Sequence, residues 1–256
     1  MKKQIPNLFT LLNLFFGCIA IVYALQTESY VINVNDDTSS SFSLPERIPL
    51  AALFIFMAAI VDFLDGFVAR LLKANSEMGK QLDSLADVVS FGVAPGVILY
   101  QLLRASYIQE EDGLYISILY ILPAFIYSCA GAYRLARFNI DNSQQYGFKG
   151  VPIPAAGLLV ASFPLIIHTG NFLTVNQWLI NKWVLYAIII LLSWLMISRI
   201  PLMALKFTDY SVKNNLSKYI LLAFSVIAAI FLHWLAVPVI FIAYIILSLA
   251  FKTRSA

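Results

Sequence analysis

The sequence predicts an all-α polytopic membrane protein, and three observations support this. Of its 256 residues, 61% are hydrophobic and only 12% are charged, which is about half the charged share of a soluble domain. The apolar residues form runs long enough to cross a bilayer core, which takes about 20 residues. Lys and Arg are concentrated in alternate breaks between these runs. The net charge of +3 is too small to indicate a nucleic-acid partner.

Eight apolar runs define the predicted spans. They cover about 7–25, 49–72, 82–104, 116–137, 151–169, 182–198, 218–233 and 234–251. A tight turn near His233 is all that separates the last two, so six or seven full spans are alternatives. Because no interdomain linker is recognisable, we expect a single transmembrane domain over residues 1–256.

The distribution of positive charge predicts the orientation. If the N-terminus lies in the cytoplasm and eight spans alternate, 14 of the 17 Lys and Arg residues fall inside. The other three, Arg47, Arg104 and Lys182, fall outside. Cytoplasmic loops carry such an excess, so we expect both termini inside, in a bacterial inner membrane.

Four aspartates interrupt the second and third runs. Asp62 and Asp65 are three residues apart, and Asp83 and Asp87 are four apart, so each pair lies on one face of its helix. The second run ends, and the third begins, on the cytoplasmic side. The sequence therefore predicts four carboxylates at one depth on two antiparallel helices.

Four neighbouring anions in a low-dielectric setting need cations, and Arg70 supplies only one charge. Carboxylates without His or Cys suit Mg²⁺, Mn²⁺ or Ca²⁺, and two bridged ions are typical of phosphoryl transfer. Gly66 and Ala69 would let a bulky ligand approach the helix, and Arg70 could pair with a phosphate. A helix–helix contact, a proton relay or ion-coupled transport are the alternatives.

The segment Asp62 to Asp87 reads D-x-x-D-G-x-x-A-R, eight residues, then G-x-x-x-D-x-x-x-D. This pattern resembles the signature of the CDP-alcohol phosphatidyltransferases. The resemblance implies a core of six transmembrane helices, usually dimeric, over about 1–215, with about 216–251 as an addition. It also implies transfer of a phosphatidyl or related group from a CDP-linked donor to an alcohol, with release of CMP.

Three further stretches resemble the branch of this family that uses serine: 5–17, 133–157 and 195–207. The resemblance implies transfer of the phosphatidyl group from CDP-diacylglycerol to the hydroxyl of L-serine. It also implies that the protein contacts membrane lipids and forms a homodimer. Glycerol phosphate, inositol phosphate and choline remain alternative acceptors.

The resemblance also implies roles for individual residues. Asp62, Asp65, Asp83 and Asp87 would hold two Mg²⁺ or Mn²⁺ ions, and Asp87 would also accept the proton of the serine hydroxyl. The implied nucleotide and phosphate site consists of Gly66, Ala69, Arg70, Gly79, Asn7 and Thr10.

The carboxylate of serine calls for a cation in the acceptor site, and Arg is suited to a bidentate pair. The candidates lie at the predicted inner ends of spans four and six: Arg134, Arg137, Asn139, Arg199 and Lys206. Arginines at such helix ends are also ordinary determinants of topology.

Overall fold

A computed structural model describes residues 5–26, 47–72, 76–108, 116–140, 148–203 and 215–250. These residues are helical apart from short turns and two strands of two residues each, so the predicted all-α class is confirmed. The first five helices are α1 (Ile5–Leu25), α2 (Ile48–Leu71), α3 (Glu77–Asp87), α4 (Ala94–Ile108) and α5 (Ile126–Ile140). The others are α6 (Ile153–Thr169), α7 (Leu173–Leu179), α8 (Lys182–Ile197), α9 (Leu216–Leu232) and α10 (Ala236–Ala250).

Several helical stretches are long and apolar enough to cross a membrane. Within the described residues there are five: Pro6–Leu25, Ile48–Leu71, Glu77–Ile108, Ile118–Ile140 and Leu216–Ala250, the last of which comprises both α9 and α10. The α7–α8 pair, bent by 71°, makes a sixth if it counts as one span, and α6 is a shorter apolar helix of 17 residues. The protein is therefore a multi-pass membrane protein.

The third span begins earlier than the predicted residue 82. Helix α3 starts at Glu77, and the Oγ of Ser76 caps it by accepting a 3.0 Å hydrogen bond from the Gly79 amide. Its first turns are polar, so hydropathy alone misses them. Asp87 is consequently the last residue of an 11-residue helix.

A π-helical turn, Val88–Val93, joins α3 to α4 and follows Asp87 directly. Such turns disturb the regular backbone hydrogen bonding of an α-helix, and here two side chains of α5 bind the turn. The Tyr127 hydroxyl donates to the Phe91 carbonyl at 2.9 Å, and Ser128 Oγ donates to the Gly92 carbonyl at 2.8 Å. The backbone that carries Asp87 is thereby anchored to α5.

The first helix packs closely on the other side of the π-helical turn. Ser90 Oγ donates a 3.0 Å hydrogen bond to the backbone carbonyl of Asn13 in α1. A Cβ atom at Gly17 would lie only 2.8 Å from the Ser90 Cα, so glycine is required for this approach. Helix α1 is thus fixed against the segment that follows Asp87.

The last two helices form a hairpin. The chain turns at His233, whose φ of 48° and ψ of −124° end α9, as the sequence predicted. Ser217, near the start of α9, and Ser248, near the end of α10, both hydrogen-bond to Met203. The two helices must therefore run antiparallel, and α10 also packs against α6.

The structure also contains a two-residue β-ladder that the sequence did not predict. One strand precedes α6 and the other follows α8. Strand β1 (Phe148–Lys149) pairs antiparallel with β2 (Pro201–Leu202). Gly150 follows β1 with a φ of +79°, and a Cβ there would lie 2.6 Å from the Met196 carbonyl oxygen. Glycine is needed at this position both for the left-handed backbone and for the close approach to α8.

Candidate active site

Three aspartates of α2 and α3 converge at one end of the bundle. Asp62, Asp83 and Asp87 each offer a carboxylate oxygen, and these oxygens lie within 4.8 Å of one another. Asp87 is buried, with 7% of its surface exposed, and the other two are half-buried. Closely spaced hard oxygen ligands suit a divalent cation, so the cluster can hold a metal ion. The predicted meeting of the two helices is confirmed for these three residues.

The fourth carboxylate, Asp65, lies outside this group of three. It is also buried, with 7% of its surface exposed, and it accepts a 2.8 Å hydrogen bond from Thr10 Oγ1 of α1. Thr10, which the resemblance placed in the nucleotide site, therefore contacts the acidic residues directly. A role for Asp65 in metal binding stays a prediction.

Asn13 belongs to the site, although the sequence reasoning did not single it out. Its Nδ2 lies 3.5 Å from Asp62 Oδ1 and 3.4 Å from Asp87 Oδ1. A signal for it was present, because Asn7, Thr10 and Asn13 recur every three residues in an otherwise apolar helix. This spacing places the polar side chains on neighbouring turns of one face.

A cavity of about 540 Å³ opens beside the acidic residues. Its lining consists of Pro6, Asn7, Thr10, Asp65, Gly66, Ala69, Ser76, Glu77, Gly79, Lys80 and Asp83. Five of the six residues predicted for the nucleotide site are among them. A Cβ at Gly66 would meet no atom within 4 Å, so this glycine keeps the α2 side of the cavity open.

The sixth predicted residue, Arg70, lies outside this lining. It is exposed on α2, and its Nε donates a 2.9 Å hydrogen bond to the Gly66 carbonyl one turn earlier. The sequence also missed three lining residues from the start of α3: Ser76, Glu77 and Lys80. They were missed because the helix was expected to begin only after them.

Among the acceptor candidates that the structure describes, Arg134 is the one that is buried near the aspartates. Only 7% of its surface is exposed, and its Nε has no hydrogen-bond partner among the described residues. Its guanidinium lies 5.5 Å from the centre of the Phe138 ring and interacts electrostatically with Asp87 and with Tyr244 of α10. Arg134 thus places a buried positive charge, with one donor that has no partner among the described residues, at the same end of the bundle as the aspartates.

The other acceptor candidates have different surroundings. Arg137 donates a 2.8 Å hydrogen bond to the carbonyl of Ile197, the last residue of α8. Asn139 Nδ2 donates to Ser84 Oγ at 2.8 Å, which ties α5 to α3. Arg199 is exposed, and Lys206 lies outside the described residues.

A helical membrane bundle with clustered carboxylates beside an open cavity defines a class of membrane protein that can bind a divalent cation and a polar ligand at one end. The sequence profile of the CDP-alcohol phosphatidyltransferases matches residues 3–195, about three quarters of the chain. The protein therefore belongs to the CDP-alcohol phosphatidyltransferase family.

Several curated proteins that are named CDP-diacylglycerol–serine O-phosphatidyltransferase are similar to this chain. One from Helicobacter pylori is 36% identical over 218 residues, covering 84% of this chain and 77% of its own length. One from Methanocaldococcus jannaschii is 36% identical over 196 residues, covering 77% and 72%. One from Bacillus subtilis is 43% identical over 133 residues, covering 50% and 70%.

Proposed function

We propose that this protein transfers the phosphatidyl group of CDP-diacylglycerol to the hydroxyl of L-serine, giving phosphatidylserine and CMP. The observation that carries the proposal is the convergence of Asp62, Asp83 and Asp87 beside the cavity. The relatives named for this reaction, which match most of the chain, support the choice of donor and acceptor.

Asp62, Asp65, Asp83 and Asp87 would hold the divalent ions, Mg²⁺ or Mn²⁺, and two ions suit four carboxylates. When bound, such ions neutralise the charge of the donor's pyrophosphate and of the departing CMP. Thr10 and Asn13 donate hydrogen bonds to Asp65, Asp62 and Asp87, so neutral groups of α1 orient these carboxylates.

The proposed reaction forms one phosphorus–oxygen bond and breaks another. The serine hydroxyl oxygen attacks the phosphorus that carries the lipid, and the bond from this phosphorus to the CMP oxygen breaks. Asp87 accepts the serine proton, and CMP leaves as a phosphate monoester. Asp87 suits this role because the π-helical turn fixes its backbone and its side chain lies within the cluster.

The cavity is proposed to receive the cytidine and pyrophosphate of the donor. Its volume of about 540 Å³ lies within the range of small-molecule sites, roughly 300–1,000 Å³. Gly66 and Ala69 leave space along α2, while Asn7, Thr10 and Gly79 line the wall made by α1 and α3. Arg70 would meet the phosphates only if its side chain left the Gly66 carbonyl.

Arg134 is the residue we assign to the carboxylate of serine, and replacing it tests this role. We expect Arg134→Lys to raise the KM for serine by ~10- to 100-fold with a smaller change in kcat, because a lost charge-assisted hydrogen bond is worth roughly 1.5–3 kcal/mol. Initial rates at saturating CDP-diacylglycerol measure it. Arg104→Lys, at an exposed position of α4, is the matched control. An unchanged KM in Arg134→Lys would refute the assignment.

The reaction itself is tested with the purified protein in detergent. Given Mn²⁺, CDP-diacylglycerol and L-serine, it should release CMP and form phosphatidylserine in equal amounts. Glycerol phosphate, inositol phosphate and choline are offered in parallel. CMP release with one of these but not with serine would overturn the acceptor alone. No CMP with any alcohol would overturn the enzymatic function and leave ion-coupled transport as the explanation.

The proposed topology has eight helical passes with both termini and the active site in the cytoplasm of a bacterial cell. The distribution of Lys and Arg supports it, and so does the contact of the α9 start and the α10 end with Met203. We treat residues 1–256 as one domain, with the α9–α10 hairpin added to a six-helix core, and we propose a homodimer. Single-cysteine labelling of intact cells tests the orientation.

A further inference from the structure

The side chain of Asn13 spans the acidic cluster. It is fully buried, with 0% of its surface exposed. Its Nδ2 contacts Asp62 Oδ1 of α2 at 3.5 Å and Asp87 Oδ1 of α3 at 3.4 Å. Both aspartates belong to the group of three whose oxygens lie within 4.8 Å of one another. One amide group of α1 therefore connects the two helices that supply the carboxylates.

An amide is chemically suited to this position. It has two N–H donors and carries no charge, so one Nδ2 atom can restrain two carboxylates without neutralising them. A lysine or arginine would also satisfy the carboxylates, but its charge would oppose the entry of a metal ion. Asn13 thus holds the cluster together and leaves its negative charge for a cation.

The orientation of the amide supports a role in the cluster. Its oxygen must point away from Asp62 and Asp87, because an amide oxygen facing two anions would be repelled by both. The consequence is that Asn13 Oδ1 is buried with no hydrogen-bond partner among the described residues. Unpaired buried polar atoms are rare and are often associated with function.

We propose that Asn13 is a positioning residue for divalent-metal binding, whose amide holds Asp62 and Asp87 at the separation that an ion requires. This inference rests on the proposed metal-dependent function. It assigns to α1 a part in metal affinity in addition to its place in the cavity wall.

The surroundings of Asn13 provide a matched control. Its backbone carbonyl accepts a hydrogen bond from Ser90 Oγ at 3.0 Å, and this contact does not involve the amide. Ser90→Ala therefore weakens the packing of α1 on the π-helical turn and leaves the amide and the carboxylates intact. A purely structural role for Asn13 would make the two positions respond alike.

The test is a Mn²⁺ titration of the full-length protein in detergent. Its two readouts are the unfolding temperature and the electron paramagnetic resonance signal of free Mn²⁺. Asn13→Leu has a similar size but no donors, and we expect its apparent Kd for Mn²⁺ to rise by about 10- to 100-fold, as for other residues that orient metal ligands. Ser90→Ala should stay within about twofold of the unaltered protein.

Asn13→Asp should have the opposite effect on the stabilisation by Mn²⁺. A further carboxylate adds repulsion that the ion relieves, so the metal-free variant should unfold at a lower temperature and gain more from Mn²⁺ than the unaltered protein does. If Asn13→Leu does not fold, Asn13→Asp decides the question. The inference is overturned if both Asn13 variants keep the original Mn²⁺ affinity, or if Ser90→Ala weakens it as much as Asn13→Leu. If the unaltered protein itself binds no divalent ion, the proposed metal dependence fails first.

Discussion

Asp87→Asn should lower the rate of CMP release by roughly 10²–10⁴-fold, the usual contribution of a positioned general base. The amide has nearly the same shape as the carboxylate but cannot accept the proton of the serine hydroxyl. It also removes one of the three clustered oxygen ligands. The measurement is CMP release at saturating serine, CDP-diacylglycerol and Mn²⁺, so that weaker metal binding is offset and the loss of the base is what remains.

Two controls accompany this variant. Asp112→Asn changes an acid that the charge distribution predicts on the opposite side of the membrane, and it should leave the rate unchanged. The elution volume of Asp87→Asn should match that of the unaltered protein, and its unfolding temperature without metal should be no lower, because Tyr127 and Ser128 hold the following turn without using Asp87. Near-normal turnover of Asp87→Asn would remove the residue from the proposed proton transfer.

Removing divalent metal should abolish turnover and lower stability together. After chelation we expect CMP release to fall to background and to return on addition of Mg²⁺ or Mn²⁺. An ion that binds only the folded protein stabilises it by about 2.7 kcal/mol at a hundredfold excess over its Kd. Part of that stabilisation comes from relief of the repulsion among closely spaced carboxylates. Thermal unfolding followed by tryptophan fluorescence, with and without Mn²⁺, measures it.

Variants of the clustered aspartates test whether the stabilising ion binds at the acidic cluster. Asp62→Asn and Asp83→Asn each remove one negative charge, so the metal-free variants should be as stable as the unaltered protein or more so. Both should show a smaller rise in unfolding temperature with Mn²⁺. An equal rise in all three proteins would place the bound ion elsewhere, and turnover that persists in excess chelator would contradict metal dependence.

The sequence predicted the acidic cluster because the information is local. The spacing of Asp62, Asp83 and Asp87 fixes the face of each helix, and antiparallel spans bring the two faces to one depth. The family resemblance, and not the spacing, assigned Asn7 and Gly66 to a ligand site, and both line the cavity. A long apolar background makes polar residues in a span conspicuous, which is why this part of the site was accessible from sequence.

Other features depend on contacts between distant segments. The bridge from Asn13 to Asp62 and Asp87 requires the packing of α1 between them, and Arg134 could be separated from Arg137 only by its burial. The early start of α3 was missed for a different reason. Hydropathy detects apolar runs, whereas the Ser76 cap and the first turns of α3 are polar.

The hydrogen bonds between α10 and Met203 bear on the order in which the protein is assembled. Tyr244 donates to the Met203 carbonyl at 3.0 Å, and Ser248 Oγ accepts from its amide at 3.2 Å. Chains emerge from the ribosome N-terminus first, so α1 to α8 and Met203 are synthesised before Tyr244 and Ser248, the partners in α10 of both Met203 backbone groups. Tyr244 also interacts electrostatically with Arg134. The surroundings of that arginine are thus completed only when the end of the chain has been made, after the four aspartates have already been synthesised.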